Sequence, residues 1–196
     1  LEIVIRQAIV LSAVLDLVIF TKTYAWNRQL AVEAVEEARR ELDRDVIDIF
    51  MLHEQESIHT LRGHQEALDY LLTCKAKGMI RAVGASMHHI AAVKGAAQMG
   101  LEVIHPILNL SGLGICDGTR MEMETALQEA HRQGIGIFSM KPLGGGNLFK
   151  DAEACLSYAL DLDYVDSVAI GMQSIEEVDA NISFWESGTF SASEKE

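Results

Sequence analysis

Polar side chains that could hold or transfer protons follow apolar runs at several points of the chain. In residues 45–54, Asp-Val-Ile-Asp-Ile-Phe-Met-Leu-His-Glu, an almost unbroken apolar run ends in His53 and Glu54. The run is too short for a free-standing helix and is rich in β-branched and aromatic residues, so it predicts a strand buried on both faces. Because ligands of parallel sheets bind beyond the carboxyl ends of the strands, we expect His53 and Glu54 at the edge of an active site.

Other polar residues stand just past predicted strands in the same way. The full set is Lys22, His53, Glu54, Ser86, His88, His105, Asn109 and Lys141. Taken singly, each has an ordinary explanation, since a lysine after a strand is usually solvated and a lone histidine is usually structural. In a barrel, however, all of these positions converge on one mouth, and that shared position favours a functional site.

Two glycine-containing segments late in the sequence could receive phosphate. The run Gly144-Gly145-Gly146 either allows close approach of backbone amides or forms only a flexible turn. Residues 171–174 lie at a predicted helix start, where backbone amides attract anions. Either segment alone is weak support, but together they are more persuasive because barrels frequently bind phosphate after their last strands.

Strands and helices alternate through the sequence and would position these residues. We predict strands at 17–20, 46–52, 79–84, 101–104, 135–140 and 165–170, and helices at 1–13, 28–42, 67–74, 90–99, 119–133, 151–160 and 174–185. Thr119 with Glu122, and Ser174 with Glu177, have the spacing of capping boxes, and Asp151 is a candidate helix cap. Repeated strand–helix units predict a parallel sheet with helices outside.

The predicted fold class is therefore α/β, as a (β/α)8 TIM barrel in one domain over residues 1–196, with a flexible polar tail at 186–196. A closed barrel needs about 250 residues. The chain has 196 and begins at Leu1 in the middle of an element, so we expect the first strand–helix–strand to be missing. An open doubly wound sheet is the rival architecture, but no GxGxxG follows the first predicted strand.

Composition argues against several classes of function. With 29 acidic against 16 basic residues the net charge is −13, which repels nucleic-acid backbones. The apolar stretch 8–20 is interrupted by Ser12 and Asp16 and is too short to span a bilayer, so no membrane anchor is expected. The three cysteines form no CxxC pair, which suggests neither a disulfide framework nor a zinc ribbon and favours the reducing cytoplasm.

Five segments, in their order and spacing, give the sequence a specific resemblance to the aldo-keto reductase family. They are Phe20–Thr23 (FTKT), Asp45–His53 (DVIDIFMLH), Lys77–Ser86 (KGMIRAVGAS), Met140–Gly146 (MKPLGGG) and Gly171–Asn181. The strings at His53–Ser57 and Gly114–Thr119 resemble a bacterial branch of the family. The resemblance covers the family's barrel apart from its beginning, and it implies an NAD(P)H-dependent oxidoreductase that reduces a small-molecule aldehyde or ketone to an alcohol.

The resemblance also implies catalytic roles. Of the family's Asp, Tyr, Lys and His set, Lys22 matches the lysine and His53 matches the histidine. The aspartate and tyrosine belong to the first strand and first helix, which we expect to be missing, and Tyr24 matches neither. We therefore expect a chain that begins at Leu1 to be inactive by itself. An ammonium favours the phenolate form of a nearby phenol and an imidazole can orient a carbonyl, so Lys22 and His53 suit supporting roles in proton transfer.

The cofactor implied by the resemblance is NADPH or NADH, and no metal ligands are expected. The residues expected to contact it are Ser86 near the carboxamide with Asn109, Met140 against the nicotinamide face, Gly144, Gly145 and Gly146 along the pyrophosphate with Lys141 and Leu143 in the same segment, and Gly171, Gln173, Ser174 and Asn181 toward the adenosine end. Glu177 stands where NADPH-preferring members often carry an arginine, and a carboxylate there would repel a 2′-phosphate.

Two other functions are left open by the sequence. A nucleotide-binding barrel without catalytic activity gains weight because the family's tyrosine and aspartate are unmatched. A metal-dependent hydrolase would use His53, His88 and His105, from three successive strand ends, as metal ligands. The sequence also leaves the oligomeric state open.

Overall fold

The strands of this protein form one parallel sheet in chain order. The computed structural model describes residues 17–188, and within them six strands pair as β1-β2-β3-β4-β5-β6. The strands are β1 (Phe20–Thr23), β2 (Ile47–Gln55), β3 (Ile80–Met87), β4 (Val103–Pro106), β5 (Gly136–Met140) and β6 (Ser167–Ala169). Parallel pairing of consecutive strands requires a crossover between them, and this arrangement confirms the predicted α/β class.

Helices make these crossovers. They are α1 (Arg28–Leu42), α2 (Ile58–Gly63), α3 (Gln65–Ala76), α4 (Ile90–Gln98), α5 (Arg120–Arg132), α6 (Ala152–Leu160) and α7 (Ile175–Ser187), with short 3-10 turns at Gly144–Gly146 and Phe149–Asp151. The helix predicted at 1–13 and the tail predicted beyond residue 188 lie outside the described residues. Residues 186 and 187, assigned to that tail from the sequence, belong to α7.

The first three strands run further toward their carboxyl ends than the apolar runs predict. The predicted bounds of β1 are 17–20, but the strand begins at Phe20, and Leu17 and Val18 are 40% and 67% exposed. β2 includes His53, and β3 includes Ser86. The backbone ladder continues past the last apolar residue because polar side chains can face the end of the sheet without breaking strand hydrogen bonds. The candidate site residues therefore lie on strands as well as after them.

Aromatic contacts show that the sheet curls strongly. The ring of Phe20 in β1 lies 4.8 Å from that of Phe138 in β5, and 5.6 Å from the His105 ring in β4. In a flat sheet with strands about 4.8 Å apart, β1 and β5 would be separated by about 19 Å. Contact between them requires the sheet to curve as part of a barrel, with the rings of His105 and Phe138 buried inside the curve and Phe20 37% exposed.

Helix ends follow the predicted capping only in part. The Thr119 hydroxyl accepts from the Glu122 amide at 3.3 Å and the Glu122 carboxylate accepts from the Thr119 amide at 2.8 Å, which confirms the capping box of α5. α2, which was not predicted, begins with a capping box of Ser57 and Thr60. Its single buried residue, Leu61, gives no periodic pattern, and this explains why the sequence did not predict it.

The last two helices depart from their predicted caps. The Ser174 hydroxyl accepts from the Glu177 amide, but the Glu177 carboxylate accepts from the Gln173 amide, one residue before the position of a capping box. Asp151 makes no capping hydrogen bond with its side chain, so that prediction is wrong. The chain enters α6 through a 3-10 turn, and Asp151 consequently lacks the extended backbone of an N-cap residue.

Two glycines allow close approach between neighbouring elements, one between two strands and one between two helices. A Cβ at Gly84 in β3 would lie 2.2 Å from the carbonyl oxygen of Val103 at the start of β4. A Cβ at Gly95 in α4 would lie 2.7 Å from the amide nitrogen of Ile58 in α2.

Among the described helices, none has the length and apolar character needed to cross a membrane.

Candidate active site

A bulge in β2 positions the histidine at the carboxyl end of the sheet. The pairing of β2 with β3 is regular up to Leu52 and shifts register before Gln55. Between them, Glu54 has the left-handed backbone angle φ 51°, which is uncommon outside glycine. An extra residue in one strand bends it and redirects its side chains. The bulge thus sets the direction of His53, which is half-buried.

Ser86 on β3 contacts both ends of this bulge. Its Oγ lies 2.7 Å from His53 Nδ1 and accepts a hydrogen bond from the Glu54 amide at 3.1 Å. The side chain is 0% exposed. The contact of Ser86 with a cofactor carboxamide, expected from the sequence, stays a prediction. In the structure the Ser86 hydroxyl has two hydrogen-bond partners within the protein.

The lysine and histidine predicted as catalytic lie on neighbouring strands of the same end of the sheet. Lys22 pairs with Met51 in the β1–β2 ladder, two residues before His53. Partial burial lowers the pKa of the Lys22 ammonium, Glu54 opposes this shift, and Lys141 adds to it. Burial and then the Lys22 charge lower the pKa of His53. The two groups are therefore close enough to influence each other, and His53 is uncharged at neutral pH.

Tyr24 and Glu54 add a contact that the sequence analysis did not predict. The Tyr24 hydroxyl donates to the Glu54 carboxylate at 2.9 Å, and the Tyr24 ring lies 4.5 Å from the His53 ring. This hydrogen bond raises the pKa of Tyr24 and lowers that of Glu54. The positions of Tyr24 two residues after Lys22, and Glu54 directly after His53, were the sequence features that could have predicted the pair.

A second imidazole at this end pairs with a lysine. The Lys141 ammonium lies 3.1 Å from His88 Nε2, and Lys141 has a left-handed backbone with φ 58°. Burial and then the Lys141 charge lower the pKa of His88. An ammonium can only donate, so Nε2 of His88 accepts and the ring proton is on Nδ1. Lys141 is thus tied across the end of the sheet to the residues following β3.

His105 lies at the carboxyl end of β4, level with Ser86, its partner in the β3–β4 ladder. Its ring is turned into the interior of the curl at 3% exposure and is stacked on Phe138 with ring centroids 4.1 Å apart. Its Nδ1 is 2.6 Å from the Phe138 carbonyl oxygen, to which it donates as a neutral ring. Burial lowers its pKa to about 4. His105 is accordingly an uncharged part of the interior.

Asn109 organises the loop that follows β4. Its Oδ1 accepts from the Leu113 amide at 2.9 Å and from the Ser111 hydroxyl at 3.0 Å, while its Nδ2 donates to the Leu113 carbonyl at 2.9 Å. A longer bond of 3.4 Å connects Nδ2 with the Lys141 carbonyl oxygen. Asn109 is fully buried. It links the loop after β4 to the segment after β5, whatever its contact with a cofactor.

The segments that follow β5 and β6 contain both buried and exposed residues among those expected to contact a cofactor. Met140 is 7% exposed at the end of β5, Leu143 is half-buried, and Gly144 is packed against Leu148 and Leu113. A Cβ at Gly145 or Gly146 would meet no atom of the described residues within 4 Å. The remaining predicted cofactor residues divide by exposure: Gly171, Gln173 and Ser174 are exposed and Asn181 is half-buried.

The histidines do not make a metal centre in the described part of the chain. Over residues 17–188, no three side chains of the types His, Cys, Asp and Glu are grouped so as to hold a metal ion. His53 and His105 use their Nδ1 atoms for Ser86 and the Phe138 carbonyl, and His88 faces an ammonium. The geometry therefore gives no support to the metal-dependent hydrolase.

Comparisons with solved structures show the same fold in full-length barrels. An aldo-keto reductase from Bacillus halodurans in its holo form has a TM-score of 0.75 and 23% identity, and the match covers 99% of this chain and 74% of that one. A Pseudomonas aeruginosa protein assigned as an aldo-keto reductase has a TM-score of 0.72 and 18% identity, with 87% of this chain and 67% of that one covered. At these identities the likeness concerns the fold.

The sequence comparisons concern the family. A search of curated protein sequences gave no significant match. The family model described as Aldo/keto reductase family matches residues 2–153, which include β1 to β5 with Lys22, His53, Ser86 and Lys141. The candidate residues Gly171, Gln173, Ser174 and Asn181 lie beyond the matched range. By this match the chain belongs to the aldo/keto reductase family.

Proposed function

We propose that the protein reduces a small aldehyde or ketone to an alcohol with NADH or NADPH as the reductant. The observation that carries the proposal is the convergence of Lys22 and His53 at one end of the sheet in a member of this family, each with its pKa lowered chiefly by burial. Perturbed titratable groups at the carboxyl end of barrel strands favour an active site.

These two residues would act on the carbonyl oxygen. A bound reduced nicotinamide would supply a hydride to the carbonyl carbon. Negative charge would then develop on the oxygen, which would take up a proton from solvent to give the alcohol. The Lys22 ammonium favours that charge because it is half-buried, where electrostatic interactions are less screened than in water. The neutral His53 ring can donate a hydrogen bond to the same oxygen and hold the carbonyl in place.

Tyr24 has no proton-transfer role in this proposal. Its hydroxyl donates to Glu54, and the hydrogen bond raises its pKa, which makes the phenol a weaker acid. The Tyr24 ring instead covers one face of His53 at a centroid distance of 4.5 Å. We infer that it restricts the His53 ring and narrows the approach of substrate.

The late segments fit an extended dinucleotide. A Cβ added at Gly145 or Gly146 would have no atom of the described residues within 4 Å, and this open space would let a pyrophosphate approach the backbone. Met140 at the end of β5 would offer an apolar contact to the nicotinamide, with Lys141 and Leu143 beside it. Gly171, Gln173, Ser174 and Asn181 would lie toward the adenosine end, where Glu177 opposes a 2′-phosphate.

The experiment is a titration of the full-length protein with NADH and with NADPH, followed by nicotinamide fluorescence. Binding of at least one cofactor, followed by consumption of NAD(P)H with simple aldehydes, is the expected result. Absence of binding by both would overturn the oxidoreductase proposal. Binding without turnover of any aldehyde or ketone would favour the non-catalytic nucleotide-binding barrel.

A further inference from the structure

Ser86 is placed to control the protonation of His53 rather than only to contact a cofactor. It lies near the carboxyl end of β3, opposite the bulge of β2, and its side chain is 0% exposed. Within residues 17–188 its Oγ has two hydrogen-bond partners, His53 Nδ1 at 2.7 Å and the Glu54 amide at 3.1 Å. Both partners belong to the bulge that sets the direction of the His53 ring.

Counting hydrogen atoms at Ser86 Oγ determines the direction of the shorter bond. A backbone amide can only donate, so Oγ is the acceptor toward Glu54. A serine hydroxyl carries one hydrogen atom, and a buried donor left without an acceptor costs free energy. If His53 Nδ1 carried a proton, Oγ would accept twice and its own hydrogen would have no partner among these contacts. The arrangement that satisfies every group has the hydroxyl donating to a bare Nδ1.

We propose that Ser86 is a positioning residue that holds the neutral His53 ring as the Nε2–H tautomer, with that hydrogen available to the substrate carbonyl oxygen. The inference rests on the proposed function for its catalytic consequence, but the tautomer itself is a property of the free protein. Burial and the Lys22 charge keep the pKa of His53 low, so the neutral ring is the form to be positioned. The same hydroxyl holds Glu54 in its left-handed backbone conformation through the Glu54 amide.

This role and the carboxamide contact predict different effects of removing the hydroxyl. If the Ser86 hydroxyl binds the cofactor carboxamide, removing it weakens the binding of NADH. If the Ser86 hydroxyl positions His53, removing it lets the ring proton occupy either nitrogen of His53. The value of kcat then falls while the Kd for NADH is unchanged. Ser139 on β5 is a matched control because it is also a fully buried strand serine, and its Oγ has no hydrogen-bond partner among the described residues.

The first test is nitrogen NMR of the histidine rings in the full chain, since protonated and bare ring nitrogens differ widely in chemical shift. The His53 signals are identified by their loss in His53→Gln. We expect a bare Nδ1 and a protonated Nε2 in the wild type and in Ser139→Ala, and a mixture of tautomers in Ser86→Ala. A protonated Nδ1 in the wild type, or an unchanged tautomer in Ser86→Ala, would overturn the proposal.

The second test measures kcat and the Kd for NADH in Ser86→Ala, Ser86→Cys and Ser86→Thr. Cysteine keeps the shape with a weak donor, and threonine keeps the hydroxyl. We expect kcat to fall roughly tenfold or more for alanine and cysteine, with partial rescue by threonine and an unchanged Kd. A raised Kd with the tautomer intact would instead identify a cofactor ligand. If no variant and no wild type turns over any carbonyl compound, the proposed function fails, and the NMR result still decides the role of Ser86.

Discussion

The two ends of the sheet use their polar side chains in opposite ways. At the amino end, a carboxylate within or just before each of three strands accepts from a backbone amide within or just before the preceding strand. The pairs are Asp48 with the Ile19 amide at 2.9 Å, Glu102 with the Val83 amide at 3.2 Å, and Asp166 with the Ile137 amide at 2.7 Å. Two of these carboxylates also bind a cation, Arg81 at 2.8 Å from Asp48 and Lys75 on Glu102.

At the carboxyl end, bases and cations gather without such pairing. In the described part of the chain neither Lys22 nor Lys141 forms a salt bridge, although Lys22 is half-buried. A partly buried ammonium without a partner costs stability, whereas paired carboxylates at strand starts stabilise the sheet. The polar side chains at the amino end therefore stabilise the fold. The contrast supports the carboxyl end of the sheet as the functional one.

The largest expected effect on activity is at the carboxyl end. Lys22→Met removes the only charge of that residue and keeps most of its apolar length. We expect kcat/KM for aldehyde reduction to fall about 100-fold or more, equivalent to about 2.7 kcal/mol of transition-state stabilisation. The midpoint of thermal unfolding should stay unchanged or rise. Lys77→Met, at an exposed position after α3, is the control and should retain full activity.

The buried ring of His105 predicts an effect of pH on stability rather than on activity. His105 has its pKa lowered to about 4. Between pH 6.5 and 4 the unfolded chain therefore binds a proton at this site that the folded protein does not, and stability falls as the pH is lowered. The loss should approach about 3 kcal/mol once the pH is below about 4.

His105→Gln removes this titration while its amide can still donate to the Phe138 carbonyl. Urea unfolding of both proteins at about pH 7 and about pH 4.5, on either side of the ordinary histidine pKa, measures the difference. A wild-type loss no larger than that of His105→Gln would contradict the assignment of a neutral buried ring.

The features that could be predicted from the sequence depend on the spacing of apolar residues within one helix or strand. The periodic apolar residues of α1, Ala31, Val35, Ala38 and Leu42, all face the core, and that helix was predicted with its observed bounds. Such patterns depend on one element at a time. They also indicated that Lys22 and His53 follow apolar runs, which was enough to place both at one end of a parallel sheet.

The features that were missed depend on the alignment between elements. The Ser86 contact with His53 exists because β2 is bulged against β3 after Leu52, and no pattern within either strand specifies that register. His105 faces the interior because the sheet curls enough for Phe20 to reach Phe138. Curvature and bulges arise from packing across several strands, so a strand-by-strand interpretation of the sequence does not contain them.

A smaller effect is expected at the amino end, and it concerns stability alone. Asp48→Ala removes the acceptor of the Ile19 amide and the partner of Arg81. We expect the free energy of unfolding to fall by about 2 kcal/mol, within the range of about 1.5–3 kcal/mol for hydrogen bonds to charged groups. Urea denaturation measures it. Asp48→Asn keeps an acceptor and should lose less.

Activity per folded molecule should be the same in both Asp48 variants, because the substitution lies at the end of the sheet opposite Lys22 and His53. A fall in kcat comparable with that of Lys22→Met, in protein shown to be folded, would break the division between a stabilising end and a functional end.

The smallest expected effect is on cofactor affinity and concerns the negative charge at the start of α7. The first turn of α7 contains Glu176 and Glu177, and the Glu177 carboxylate accepts from the Gln173 amide at 2.7 Å. A carboxylate here repels a 2′-phosphate, so the wild type should prefer NADH. Glu177→Arg should improve NADPH affinity roughly tenfold, or about 1.4 kcal/mol, if one charge-assisted hydrogen bond is gained. The substitution also removes the hydrogen bond to the Gln173 amide, which limits the gain.

The control is Glu176→Arg, which changes the net charge equally but keeps the hydrogen bond between Glu177 and Gln173. Comparing the Kd of both variants for NADPH separates a direct phosphate contact from a general charge effect. Equal improvement in the two variants, or tight NADPH binding by the wild type, would show that Glu177 does not face the 2′-position.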